Sequence, residues 1–244
     1  MRITRVVLLS VAVLLVIVVV GFLIWANTGI MQAEKGPLEK VRSNHPAVSI
    51  TELDNAVVMA PTGTASGVGL VFIPGAKVAA DAYLYKLSGA VAQDGLTVVI
   101  TKPILNLAFF DQRALSDFKS DVRGIDSWYV GGHSLGGVRA CQYADQPKVT
   151  GLILFGSYCA NDLSAKKLAV LSIGGSNDGL STPSKIKDAA TLLPANATFV
   201  QIPRSNHARF GDYGVQAGDG TATVSTSRVQ DIITNDLEKF LASR

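Results

Sequence analysis

The chain has 244 residues, 22 Lys and Arg against 19 Asp and Glu, a formal net charge of +3 and 48% hydrophobic residues. So small a charge with no basic cluster excludes a nucleic-acid-binding surface, and the length admits one sizeable core. The mean hydropathy of +0.31 is high for a purely soluble chain, and the excess lies at the N-terminus.

Residues 1–5 form a short tail with Arg2 and Arg5, expected on the cytoplasmic side. No charge occurs from Val6 to Ala26, and a helix of that length spans a bilayer core of about 30 Å. A cleaved signal peptide would have a shorter apolar region followed by a small-residue cleavage site. Here the run over 6–26 ends Phe22-Leu23-Ile24-Trp25-Ala26, and tryptophan suits a membrane interface. The reading is a retained single-pass transmembrane anchor with the rest of the chain outside the cytoplasm, although Lys35, Lys40 and Arg42 on the far side leave the basic-residue count undecided. Residues 27–47 are polar and charge-mixed, which predicts a spacer, and the folded domain is expected over 48–244.

Val48 to Leu53 and Ala56 to Ala60 read as two short strands in an antiparallel start, and Pro61 to Gly67 as a turn cluster. Val68 to Ile73 is a continuous apolar strand leading into Pro74-Gly75-Ala76-Lys77, and Ala79 to Gln93 has helical spacing. Leu96 to Ile100 is a further buried strand, with a short helix predicted around Gln112 to Lys119. Tyr129 onward gives a strand that breaks into glycines and opens a helix. Val149 to Phe155, Ala169 to Ile173 and Thr198 to Ile202 supply three more strands, with a helix expected over Pro183 to Leu193. Ser225 caps a last helix whose Val229, Ile232, Ile233, Leu237, Phe240 and Leu241 form an apolar stripe. This alternation implies an α/β fold, a mostly parallel sheet with helices on both faces. Sites in such sheets lie beyond the carboxyl ends of the strands. Cys141 and Cys159, one on a helix and one past a strand, could pair in an oxidising compartment, but sequence does not bring their Cα atoms within bonding distance and they are read as two small buried thiols.

Gly132-His133-Ser134-Leu135-Gly136 fits G-x-S-x-G, in which a strand turns sharply into a helix and the serine adopts a strained backbone. Side chains at 132 and 136 would collide in that turn, and the Leu135 amide is left facing a developing oxyanion. A serine nucleophile needs a base, and the base needs a group to orient it. Of the three histidines, His45 lies in the expected spacer and His133 beside the nucleophile, leaving His207 after the last strand as the base. Asp178, in Gly174-Gly175-Ser176-Asn177-Asp178-Gly179, is the expected acid, with Asp162 one strand earlier as the substitute. Gly75 allows close approach, and the Ala76 amide is the expected second oxyanion donor. Lys77, Phe109, Phe110, Ser157 and Tyr158 are candidate pocket residues. The Gly- and Asp-rich loop from Gly211 to Thr223 is read as folding over the surface.

From about residue 48 onward the chain resembles the α/β-hydrolase superfamily, in size its compact dienelactone-hydrolase-like branch, with Ser134 standing where that branch typically has cysteine. The resemblance implies a serine acyl hydrolase: Ser134 as nucleophile, Asp178 as acid, His207 as base, and the amides of Leu135 and Ala76 as oxyanion hole. Pro74-Gly75 stands where many lipases and esterases have His-Gly. Only residues 157–167 separate two strands where relatives insert a lid, so an open pocket suited to modest-sized soluble esters is expected. No metal-ligand spacing or nucleotide-binding loop occurs, so no cofactor is expected. The expected partners are a small acyl substrate and, through the N-terminal helix, a membrane; a tethered non-catalytic binding module, or a thioesterase, peptidase or acyltransferase on the same triad, is the alternative.

Overall fold

The computed structural model describes residues 2–43 and 45–243. Met1, in the expected tail, Asn44, in the expected spacer, and Arg244 lie outside them. Eight strands form one sheet in the order β1-β2-β4-β3-β5-β6-β7-β8: β1 (Val48–Glu52), β2 (Ala56–Pro61), β3 (Val68–Ile73), β4 (Thr97–Thr101), β5 (Ser127–His133), β6 (Gly151–Phe155), β7 (Ala169–Gly175) and β8 (Thr198–Ile202). Only β2 runs against its neighbours, and every pairing from β4 to β8 is parallel.

Successive side chains of a strand face opposite ways, so each central strand feeds two cores. Leu70 and Phe72 of β3 join the core beneath α3 (Leu84–Asp94) and α7 (Thr226–Ala242), whereas Val71 and Ile73 join the core beneath α5 (Leu135–Ala144). The helix expected over Ala79 to Gln93 divides into a 3-10 turn, Ala80–Tyr83, and α3. The helix expected from Gln112 shortens to α4 (Ser116–Lys119), and α6 (Pro183–Asp188) continues as a 3-10 turn, Ala189–Leu192. Ser225 caps α7, its Oγ accepting from the Arg228 amide at 3.2 Å. The β6–β7 connection carries no inserted domain.

The expected tail and the apolar run lie in one helix, α1 (Arg2–Asn27), whose stretch Thr4–Asn27 is long and apolar enough to cross a membrane. Two expectations need correction. First, the predicted spacer packs on the domain. Met31 pairs with Val78, its amide donating to Lys77 O at 2.8 Å and its carbonyl accepting from the Ala79 amide at 2.9 Å. The following α2 (Lys35–Arg42) buries Val41 in the core with α3. Two apolar residues one turn apart, Leu38 and Val41, suffice to seat a helix of eight residues but make no legible period.

Second, Cys141 and Cys159 are joined by a disulfide, with Cα atoms 5.5 Å apart. The loop after β6 folds back over α5, where Asn161 Nδ2 donates to Cys141 O at 3.2 Å. That fold-back has no signature in sequence, since it depends on how a loop lies against a distant helix.

Candidate active site

β5 ends and α5 begins at Ser134, whose φ of 53° and ψ of −126° lie outside the ordinary regions for an L-residue. Such a conformation costs about 1–3 kcal/mol and persists only where surroundings enforce it. Here they do. A Cβ at Gly132 would come within 2.5 Å of the Gly136 carbonyl carbon, and one at Gly136 would collide with the carbonyl oxygens of Ile73 and Pro74. The glycines therefore let the turn press against the end of β3, and the Ser134 amide donates to Phe155 O at 3.1 Å. Ser157, a candidate pocket residue, is buried and braces the elbow by donating to Ser134 O at 2.7 Å.

Asp178 follows β7 and His207 follows β8, and both side chains are sealed from solvent. Asp178 Oδ2 lies 2.8 Å from His207 Nδ1, while its Oδ1 accepts from the amides of Leu180 at 2.9 Å and Ser181 at 2.7 Å. With both oxygens engaged, the carboxylate is fixed and the imidazole tautomer is set with the proton on Nδ1. Nε2 is left buried and without a hydrogen-bond partner. Asp162, the substitute acid, is exposed and bonds only locally, its Oδ1 accepting from the Ser164 amide at 2.8 Å.

Among the described residues, the amides of Leu135 and Ala76 have no hydrogen-bond partner. Leu135 lacks one because it opens α5, whose first amides have no carbonyl to reach. The Gly75 amide is spoken for: it donates to Tyr83 Oη at 2.9 Å. Tyr83 Oη in turn lies 2.9 Å from His133 Nδ1. Burial pushes the Tyr83 phenol well above its usual range, so it keeps its proton and donates it to His133. Burial first, and then the neighbouring His207, hold His133 well below an ordinary histidine, which keeps it neutral and able to accept. The loop after β3 and the elbow are thus tied together through one phenol.

Sequence reading missed two further contributors. Asp219, in the loop read as surface, gathers four amides: Oδ1 accepts from Gly179 at 3.1 Å, His207 at 3.1 Å and Gly220 at 2.7 Å, and Oδ2 from Ala208 at 2.9 Å. It pins the Asp178 loop to the His207 loop; the one sequence signal is an aspartate between two glycines soon after the histidine. The second is a buried ion pair, Lys86 Nζ to Asp212 Oδ1 at 2.5 Å, which ties α3 to the segment just after His207. Of the remaining pocket candidates, Lys77 places its ammonium 4.4 Å from the Trp25 ring centroid. Phe109 and Phe110 pack against one another and stay largely exposed, and Tyr158 is half-buried.

A model of the alpha/beta hydrolase family matches residues 69–231, about two thirds of the chain. No curated protein sequence matches. Solved structures with the same fold include Est1E from Butyrivibrio proteoclasticus, at 12% identity and a TM-score of 0.56, covering 80% of this chain and 99% of that one. XC6422 from Xanthomonas campestris, described as a serine hydrolase without lid, aligns at 16% identity and a TM-score of 0.57, covering 80% and 95%. A membrane phospholipase A, described as a bacterial virulence factor, aligns at 13% identity and a TM-score of 0.57 over 98% of both chains, so that α1 falls within the match.

Proposed function

The chain belongs to the alpha/beta hydrolase family, and we propose that it is a membrane-anchored serine hydrolase that cleaves carboxylic esters through an acyl-enzyme on Ser134. The observation that carries this reading is the Asp178–His207 contact of 2.8 Å, sealed from solvent, with the His207 ring 4.4 Å from that of His133, the residue before the strained elbow at Ser134. A carboxylate that holds an imidazole by Nδ1 leaves Nε2 to take a proton.

Ser134 Oγ attacks the ester carbonyl carbon as His207 Nε2 takes the hydroxyl proton, and the carbonyl oxygen becomes an oxyanion held by the amides of Leu135 and Ala76. The carbon–oxygen bond to the leaving alcohol breaks, and His207 gives the alcohol its proton. Water then attacks the acyl carbon as His207 takes a proton from it, and the bond to Oγ breaks as His207 returns that proton to Oγ, releasing the acid and restoring Ser134 and the neutral imidazole. Asp178 stays ionised throughout and stabilises the imidazolium.

Anchoring is supported by the length and apolarity of α1, and a location outside the cytoplasm by the disulfide, which persists in oxidising compartments. The test is turnover of p-nitrophenyl butyrate by the full chain in detergent. The account expects an initial burst of nitrophenolate near one equivalent if deacylation limits, and loss of at least about a thousandfold in kcat for Ser134→Ala. Equal turnover by Ser134→Ala would reject the reading.

A further inference from the structure

Among the described residues outside α1, five large hydrophobic side chains are exposed, and three of them, Ile104, Phe109 and Phe110, lie in the loop after β4. That loop touches the end of α1. Phe110 meets Phe22 edge-on with ring centroids 5.3 Å apart, and Asn106 Nδ2 donates to Ala26 O at 3.2 Å. The loop is held in place, since Asn106 O accepts from the Lys77 amide at 2.8 Å, and Lys77 in turn lies over Trp25.

These contacts fix depth. Phe22 lies five residues before the end of α1, which at 1.5 Å per residue is about 7 Å back along the helix. If α1 crosses a bilayer and Trp25 marks its interface, a ring stacked on Phe22 sits below the headgroups. The cationic Lys77 then falls at the level of lipid phosphates. The oxyanion donor Ala76 is its chain neighbour, one step of about 3.8 Å between Cα atoms, so the reacting carbonyl is met within one lysine side chain and one residue of that level.

We infer that Ile104, Phe109 and Phe110 dock into the lipid bilayer beside α1, and that the site takes acyl esters embedded in that bilayer. This rests on the anchored-hydrolase reading above, and it departs from the soluble esters expected of a lid-less pocket. Continuity with the apolar surface of α1 is what selects a bilayer as the occupant. A soluble partner would need to cover the aromatic pair while avoiding a helix that is itself in lipid.

Full-length chain in vesicles of phosphatidylcholine and phosphatidylglycerol provides the test. Phe109→Trp adds one tryptophan, and its added emission, after subtraction of the parent, reports depth without requiring catalysis. The inference expects blue-shifted added emission, quenched by lipids brominated on the upper acyl chain and protected from acrylamide. Quenching by acrylamide and not by bromolipid overturns it. So does emission immune to both quenchers, which places the ring against a second copy of the chain.

Substrate class is read by comparing trace acyl-labelled phosphatidylglycerol in the vesicles with p-nitrophenyl butyrate in solution. Phe109→Asp/Phe110→Asp is expected to lower the ratio of lipid-ester to soluble-ester hydrolysis at least tenfold. An unchanged ratio, or butyrate cleavage without lipid cleavage by the parent, overturns the substrate assignment. If the parent cleaves neither ester, the hydrolase reading itself has failed and the substrate assignment falls with it, while the quenching result still decides the docking surface.

Discussion

The elbow at Ser134 and the Asp178–His207 pair were legible because each demands a local sequence: the elbow needs its glycines, and Asp178 and His207 each follow their own strand. Their supports were not legible, because support is a matter of distance. Tyr83 lies 50 residues from the histidine it bonds, and nothing at either position announces the other. Removing that hydroxyl in Tyr83→Phe leaves the Gly75 amide and His133 Nδ1 buried without partners, a cost of about 1–3 kcal/mol. We expect kcat to fall about tenfold with KM within about twofold, since the oxyanion loop is positioned by this phenol while the binding surface is not; an unaltered kcat would remove Tyr83 from the account. Asp219→Ala frees four amides at once. The loops of Asp178 and His207 then lose their common clamp, and kcat is expected to drop about 10–100-fold, with partial recovery in Asp219→Asn, which keeps one acceptor oxygen.

At the scale of elements, the strands were readable because parallel strands buried on both faces are continuous apolar runs, as in β3, β4 and β6. Short helices set by tertiary contact were less so: α2 was missed and α4 was expected four residues too early, because propensity and period are weak over so few residues. The disulfide joins α5 to the loop after β6 across a sequence separation of 18, a closure worth about 3 kcal/mol in the chain-entropy model. Cys141→Ala/Cys159→Ala is therefore expected to lower the thermal midpoint by about 6–12 °C; an unmoved midpoint would show that the link constrains little. Where α3 ends against α7, burial and then the Glu238 charge raise the Asp94 carboxyl to about 6. A native pKa above the unfolded one means that the folded state holds its proton longer. Stability accordingly falls as pH rises from about 4 through 6, and the penalty is complete above that. The carboxylate also opposes the dipole at the C-terminal end of α3, worth about 0.5 kcal/mol. Asp94→Asn should raise the thermal midpoint by about 1–2 °C at pH 8 and by nothing at pH 4, which melting curves across that range would check.

For the whole molecule, composition located the apolar segment and the fold, but the relation between them came from the structure. Residues expected to hold the domain away from α1 instead seat it there: Met31 pairs with the loop after β3 and α2 buries Val41 in the main core, while Asn106 of the loop after β4 reaches Ala26. A polar, charge-mixed composition says that a segment is solvated on one side; it does not say what the other side touches. The same contacts mean that the chain is best studied whole, since cutting before His45 removes Met31 and Val41 from the fold. The central claim, an activated serine at the elbow, is tested most directly by labelling the full-length chain with a fluorophosphonate probe and locating the adduct by peptide mass. The account predicts one adduct, on Ser134, formed at least about a hundredfold more slowly in His207→Ala and absent in Ser134→Ala. A correctly folded parent that takes up no probe, or takes it up equally in all three proteins, would contradict it.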